Sequence, residues 1–171
     1  MYCLKVSLGG ILVVCLASWS GCAPARAPEA RSHRMGERVP VGSFVYNVFD
    51  DQWKTELGEG SDARIPKDRF FLVHLSVLNG GSAEFLVPTI TLVDDSGQSY
   101  TELSNGDQAP SWLGFLRRVK PAETLQGDIV FDVTPRHYRL RLGDENDQKH
   151  EDVDIPLSFS DQTPEIPQPA Q

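Results

Sequence analysis

From Arg69 to Gly81 the chain reads RFFLVHLSVLNGG, with Phe71, Val73, Leu75 and Val77 on one face of an extended backbone. His74 and Ser76 interrupt the other face. A period of two in β-branched and aromatic residues, closed by Asn79-Gly80-Gly81, predicts a central strand that ends in a turn. Asn79 can bond its own turn, and the two glycines permit positive φ.

The same reading extends in both directions. Val41 to Phe49 alternates Phe44, Tyr46 and Val48 against Val45, Asn47 and Phe49, which predicts a first strand with both faces partly apolar. Asp50 to Pro66 is polar and glycine-bearing, with Trp53 and Leu57 among its few large apolar groups, and is expected to be a long loop or hairpin. Glu84 to Val93 sets Ile90 and Leu92 against Thr89 and Thr91, Asp95-Ser96-Gly97 signals a turn, and Gln98 to Leu103 begins a return strand. Trp112 to Leu116 is apolar, short and flanked by Arg117-Arg118, so its type stays open. Past Pro121, residues Leu125, Gly127, Ile129, Phe131 and Val133 share one face, the glycine implying a bulge or a close sheet contact. Tyr138, Leu140 and Leu142 alternate with Arg139 and Arg141, and Val153, Ile155 and Leu157 mark the last strand.

About seven short strands at roughly 8–12-residue spacing, with no long amphipathic helix, predict an all-β fold. A half-apolar sheet needs a second sheet to cover it, so the expected architecture is an immunoglobulin-like antiparallel β-sandwich over residues 41–159. Phe131 and Leu140 are the expected partners of Val73, Leu75 and Val77 on facing strands.

Four segments occur here in one order: VGSFVYNV, FLVHLSVLNGG, TLVDDSGQSY and KPAETLQGDIVFDV. Together they resemble an immunoglobulin-like domain of unknown function found in bacterial secreted proteins and lipoproteins, related in fold to a small mycobacterial secreted antigen. The resemblance spans roughly Val41 to Leu142. It implies a β-sandwich and no established catalytic residues. That pattern usually follows the proline of the late strand with Gly, whereas this chain has Pro121-Ala122. Some members carry a telomere-repeat-binding label, which the charge of this chain contradicts.

The formal charge is −8, and residues 1–21 hold one Lys and no acid. A surface this acidic repels phosphate backbones, and no basic stripe offsets it, so nucleic acid is not an expected partner.

Residues 1–21 place Lys5 before an apolar run from Val6 to Ala17, too short to span a bilayer core of about 30 Å. Ser20-Gly21-Cys22 resembles the lipobox of bacterial lipoproteins, with Trp19 where that motif usually has Leu. The alternative is an ordinary secretory signal that happens to end near a Cys. Cys3 and Cys15 fall inside the removed segment, so Cys22 would remain as a lone thiol that a thioether to lipid accounts for. The expectation is a cell-envelope lipoprotein, membrane-bound through lipid on Cys22. Ala23 after the Cys favours the outer membrane in a Gram-negative host. Residues 22–40, rich in Ala, Pro and Arg, are expected to form a disordered tether, and residues 160–171 a disordered tail.

Candidate chemistry is sparse. The four histidines, His33, His74, His137 and His150, show no metal-ligand spacing, and no G-x-S-x-G elbow is present. No catalytic residue, metal ligand or cofactor is assigned. Trp53 and Trp112 are candidate anchors for an envelope or extracellular protein, because aromatics dominate binding hot spots. The leading reading is a non-catalytic interaction module. Its rival is a Ca²⁺-binding domain, or a hydrolase, using the oxygen-rich segment 144–154.

Overall fold

The computed structural model describes residues 32–157, so the signal segment, Cys22 and the expected C-terminal tail lie outside the described residues. The chain forms β1 (Ser32–Arg34), β2 (Arg38–Val41), β3 (Phe44–Lys54), β4 (Phe70–Asn79), β5 (Phe85–Leu86) and β6 (Thr91–Asp94). It continues with β7 (Ser99–Thr101), β8 (Arg118–Val119), β9 (Thr124–Asp132), β10 (Tyr138–Gly143) and β11 (His150–Ile155). A five-stranded sheet, β1-β11-β10-β6-β7, packs against a four-stranded sheet, β2-β3-β4-β9, and β5-β8 forms a separate two-stranded ribbon.

The predicted central strand is central. β4 lies between β3 and β9, and Phe71, Val73, Leu75 and Val77 point into the main core. Leu140 contributes to that core from the other sheet, but Phe131 does not face β4. It is the register partner of Phe71 within the same sheet, because β9 runs beside β4 and not opposite it.

Three expectations are corrected. Ser32–Pro40, read as part of a disordered tether, is strand and turn. Val39 and Val41 alternate into the core and are at most 2% exposed, and β1 pairs in parallel with β11, an exception to the otherwise antiparallel sheets. Their burial supplies what the surrounding Arg and Pro conceal in composition. Asp50 to Lys54, read as loop, continues β3 beyond a register shift between Val48 and Asp50, which leaves Phe49 exposed. Gly80 and Gly81 do not take positive φ. Gly81 is small because a Cβ there would lie 2.8 Å from the Phe85 ring and 3.1 Å from Asn79 Oδ1. The fully buried Asn79 donates to Ala83 O and Val119 O and accepts from Gly81 N, and so holds this corner together.

Trp112 to Leu116 is loop, and its start seals the edge of β9. Ser111 O accepts from Asp128 N at 2.7 Å and Leu113 N donates to Asp128 O at 2.8 Å. Gly127 permits that approach, since a Cβ there would sit 2.4 Å from Ser111 O. A second, smaller core forms where Leu57, Leu103, Ala109 and Trp112 pack over Phe70, Leu72 and Val130 on the outer face of the sheet.

The Asp95-Ser96-Gly97 turn is built by the residue before it. Asp94 accepts from the Ser96 hydroxyl at 2.6 Å and from the Ser96 and Gln98 amides. The Ser96 hydroxyl is the first of the bonds that hold the Asp94 carboxyl at about 2.

Pro121-Ala122 keeps the turn that glycine would serve. Glu123 N donates to Lys120 O at 3.0 Å, and Ala122 takes a φ of 60°, the left-handed region. Ala122→Gly is therefore expected to stabilise the domain by about 0.5–1 kcal/mol, the relief of Cβ strain less the entropy of glycine. An unchanged or lowered urea midpoint would contradict this account.

Candidate functional site

The β5-β8 ribbon sits at one end of the sandwich and brings two loops together. Val87 N donates to Arg117 O at 2.9 Å, which extends the ribbon by one step on each side. At the same end, Ile90 N donates to Glu102 Oε1 at 2.8 Å and Glu102 N donates to Ile90 O at 3.2 Å. These bonds fix Glu102 just past β7, where Arg117 Nη2 donates to both of its carboxylate oxygens. The two side chains are 1% and 3% exposed, so this is an ion pair removed from water. Burial pushes the Glu102 carboxyl up, against the opposing pull of Arg117 and the Ile90 amide.

A cavity of about 310 Å³ opens beside this pair. Leu86, Pro88, Phe115 and Leu116 give it apolar walls, and Glu145 and Asp147 bring carboxylates from the loop after β10. Arg117 lines it as well, and its Nε and Nη1 are buried with no hydrogen-bond partner among the described residues. Leu116 is 65% exposed and holds a φ of 57°. A bulky side chain in that conformation is strained, and such strain concentrates at clamps and binding sites. Leu86 beside it is also exposed.

The acidic segment 144–154 is not a convergent set of ligands. Asp144 accepts from the Gln148 and Asn146 amides, with Gln148 leading the bonds that lower its pKa. Glu145 accepts from Ser43 N at 2.7 Å and Ser43 Oγ at 2.9 Å, and the amide bond leads in lowering its pKa. Asp152 takes Arg141 by two bonds of 2.9 and 3.1 Å, and Asp154 lies 2.8 Å from His137. These carboxylates organise the loop and the outer face of the sheet. Among the described residues, no group of three or more His, Cys, Asp or Glu side chains is placed to hold a metal ion.

The histidines are each set against carboxylates. His33 lies 3.4 Å from both Glu37 and Glu151, His74 2.7 Å from Asp128, and His150 2.9 Å from Asp147. His137 is held between Asp95 and Asp154, each at 2.8 Å. The Asp95 hydrogen bond leads in raising the His137 pKa above 6.5, burial opposes it, and Asp154 adds to the rise. The sign follows: the folded state binds this proton more tightly than the unfolded chain. The stabilisation is full below about pH 6.5 and is lost as pH rises through the folded value. The ring is 35% exposed, so the effect is small. His137→Gln is expected to flatten the stability difference between pH 6 and pH 8, measured by urea unfolding; an unchanged difference would assign it to other groups.

Trp53 stacks on Phe71 with ring centroids 4.2 Å apart, and Trp112 packs into the second core. Both are half-buried, and neither lines the cavity. Of the residues that do line it, Glu145, Asn146 and Asp147 fall in the oxygen-rich segment singled out in the sequence for Ca²⁺, while Glu102 and Arg117 went unrecognised as a site. The other signal was the apolar run Trp112–Leu116, which no strand or helix period absorbs.

A model of DUF4352, a domain of unknown function, matches residues 33–148. The chain belongs to the DUF4352 family. No curated protein sequence matches it. Among solved structures, the DUF4352 chain is similar to the yjhA protein of Bacillus subtilis, at 16% identity and a TM-score of 0.58, covering 72% of this chain and 99% of that one. It is also similar to the secreted protein MPT63 of Mycobacterium tuberculosis, at 14% identity and a TM-score of 0.52, covering 75% and 98%. A third is ycdA of Bacillus subtilis, provisionally described as a lipoprotein, at 15% identity and a TM-score of 0.53, covering 72% of this chain and 39% of that one. At these identities the likeness is one of fold, and the fold is the β-sandwich that the alternation predicts.

Proposed function

We propose that this DUF4352 domain is a non-catalytic docking module held at the bacterial cell envelope by lipid on Cys22. The observation that carries the docking reading is Leu116, an exposed apolar side chain on strained backbone at the lip of a cavity. A strained, solvent-facing leucine adds nothing to the core, so its stabilising contact is expected from outside the domain. The location rests on the Ser20-Gly21-Cys22 segment and is supported by fold likeness to a secreted protein and to a provisionally described lipoprotein.

Two measurements test the two halves. Cys22→Ser is expected to abolish palmitate labelling and to release the protein into a soluble exported fraction; equal lipid incorporation in the variant would overturn the anchor. A photo-cross-linking residue at position 116 is expected to trap an envelope partner in cells, and the same residue at Ser99, exposed on β7, is not. Equal trapping at both positions, or none at 116, would remove the cavity lip as the docking surface.

A further inference from the structure

We infer that the cavity beside Arg117 receives a peptide segment that inserts an apolar side chain and sets a Lys or Arg next to it against Glu145 and Asp147. This inference rests on the docking reading above and names the chemistry of the partner. Three features of the cavity converge on it.

The first is size and wall chemistry. About 310 Å³ between Leu86, Pro88, Phe115 and Leu116 is at the small end of ligand cavities, enough for one or two side chains. The second is charge. Glu102, Glu145 and Asp147 line the cavity against the single lining cation Arg117, whose charge Glu102 already meets. His150, outside the lining, lies 2.9 Å from Asp147 and leaves the second oxygen of that carboxylate to a ligand. The surplus is negative, so an anion is repelled and a cation is attracted. Glu145 is also fixed in place by its two bonds from Ser43. A carboxylate already oriented loses little side-chain freedom on binding. The third is the hydrogen-bond deficit. Arg117 Nε and Nη1 are donors taken out of water and left without an acceptor among the described residues. Such donors are costly until an acceptor meets them.

An aliphatic or aromatic side chain fills the walls and a cation meets the rim. A neutral carbonyl adds no negative charge and meets Arg117 Nε or Nη1 once the side chain shifts, since both atoms are closed to solvent here. A Leu-Lys or Phe-Arg pair within a peptide carries all three groups. An anionic membrane surface supplies the apolar part but opposes Glu145 and Asp147, so the electrostatics favour the peptide.

The experiment titrates the ¹⁵N-labelled domain with acetylated, amidated Gly-Ala-Lys-Leu-Lys-Ala-Gly and follows amide chemical shifts. Two control peptides replace both Lys by Glu, or Leu by Gly. Vesicles of phosphatidylglycerol form a separate arm. The expected result is a set of shifts confined to residues 86–89, 115–117 and 145–147, with neither control peptide nor the vesicles producing them. Leu116→Asn and Asp147→Asn, at exposed positions whose left-handed backbone Asn tolerates, are expected in combination to weaken binding about tenfold or more while leaving the melting temperature nearly unchanged. Arg117→Lys keeps a charge for Glu102 but removes the guanidinium fork, and should also weaken binding where the variant folds.

Equal binding of the Glu-flanked peptide overturns the charge argument and with it the inference. Shifts driven by vesicles instead of peptide overturn it in favour of a lipid surface. If the Lys-Leu-Lys peptide fails to bind while position 116 still cross-links a partner in cells, the inference falls and the docking reading stands. Failure of both removes both.

Discussion

Glu102→Ala is expected to cost about 3–5 kcal/mol, the usual penalty for leaving the other half of a buried ion pair uncompensated. Arg117 would keep a full charge in a site where its side chain is 3% exposed. Two of its nitrogens already lack partners among the described residues, and the variant would strip the acceptor from a third. Ile90 N would also lose its bond to Glu102 Oε1. The loss is large against a domain stability of about 5–15 kcal/mol. The pair is not thereby a source of net stability. Burial opposes ionisation of Glu102, so the fold bears the desolvation of both charges. Replacing both residues by apolar ones, Glu102→Leu with Arg117→Met, should therefore recover most of the loss. A double-mutant cycle by urea unfolding checks this. If the double variant is as unstable as Glu102→Ala, the pair contributes more than its mutual compensation. If Glu102→Ala is nearly neutral, water reaches the site and the pair is not buried.

The core strands were legible because burial on one face of a sheet leaves a period of two. The seven stretches read from alternation or turn signals each overlap a strand, from β3 at Phe44 to β11 at Ile155, although β11 begins at His150 and Leu157 lies exposed beyond it. What escaped has a common cause. The two-residue strands β5 and β8 are too short to show a period. β1 and β2 hide among Arg and Pro, and β1 is fixed by its parallel pairing with β11, a contact about 120 residues away in sequence that no local pattern records. The continuation of β3 past Phe49 was masked because the bulge shifts the alternation out of phase. Trp53 and Trp112 were legible as large aromatics, but not as side chains placed on Phe71 and in the second core. The candidate site was the least legible part. Glu102 and Arg117 lie 15 residues apart at the two ends of the β7–β8 connection, and each looks like an ordinary surface charge until the ribbon brings them together. The acidic segment drew attention by density alone, and its carboxylates are mostly engaged in holding their own loop and strand faces.

The organising strand carries the other large effect. Leu75→Ala is expected to destabilise the domain by about 2–5 kcal/mol, since it deletes buried methyl groups and leaves a cavity. Leu75 is fully buried in the main core, on an inner strand of its sheet, with Val48 and Gly127 as its register neighbours. Gly127 offers no side chain to collapse into the gap, and Ser111 O lies too close for the backbone there to shift inward freely. The upper half of that range is therefore the expectation. His74, one residue away, points to the opposite face because successive side chains alternate across a strand. It lies 2.7 Å from Asp128, near Phe49, with its side chain 27% exposed. His74→Ala then loses two partly solvated polar contacts, to Asp128 and to Gln126, together about 1–2 kcal/mol. The test is the difference between the neighbours, measured by urea unfolding under one set of conditions. Equal losses would mean that the outer face at His74 is buried as deeply as the core. A larger loss at His74 than at Leu75 would invert the register that places Val73, Leu75 and Val77 between the sheets, and the sandwich drawn from it.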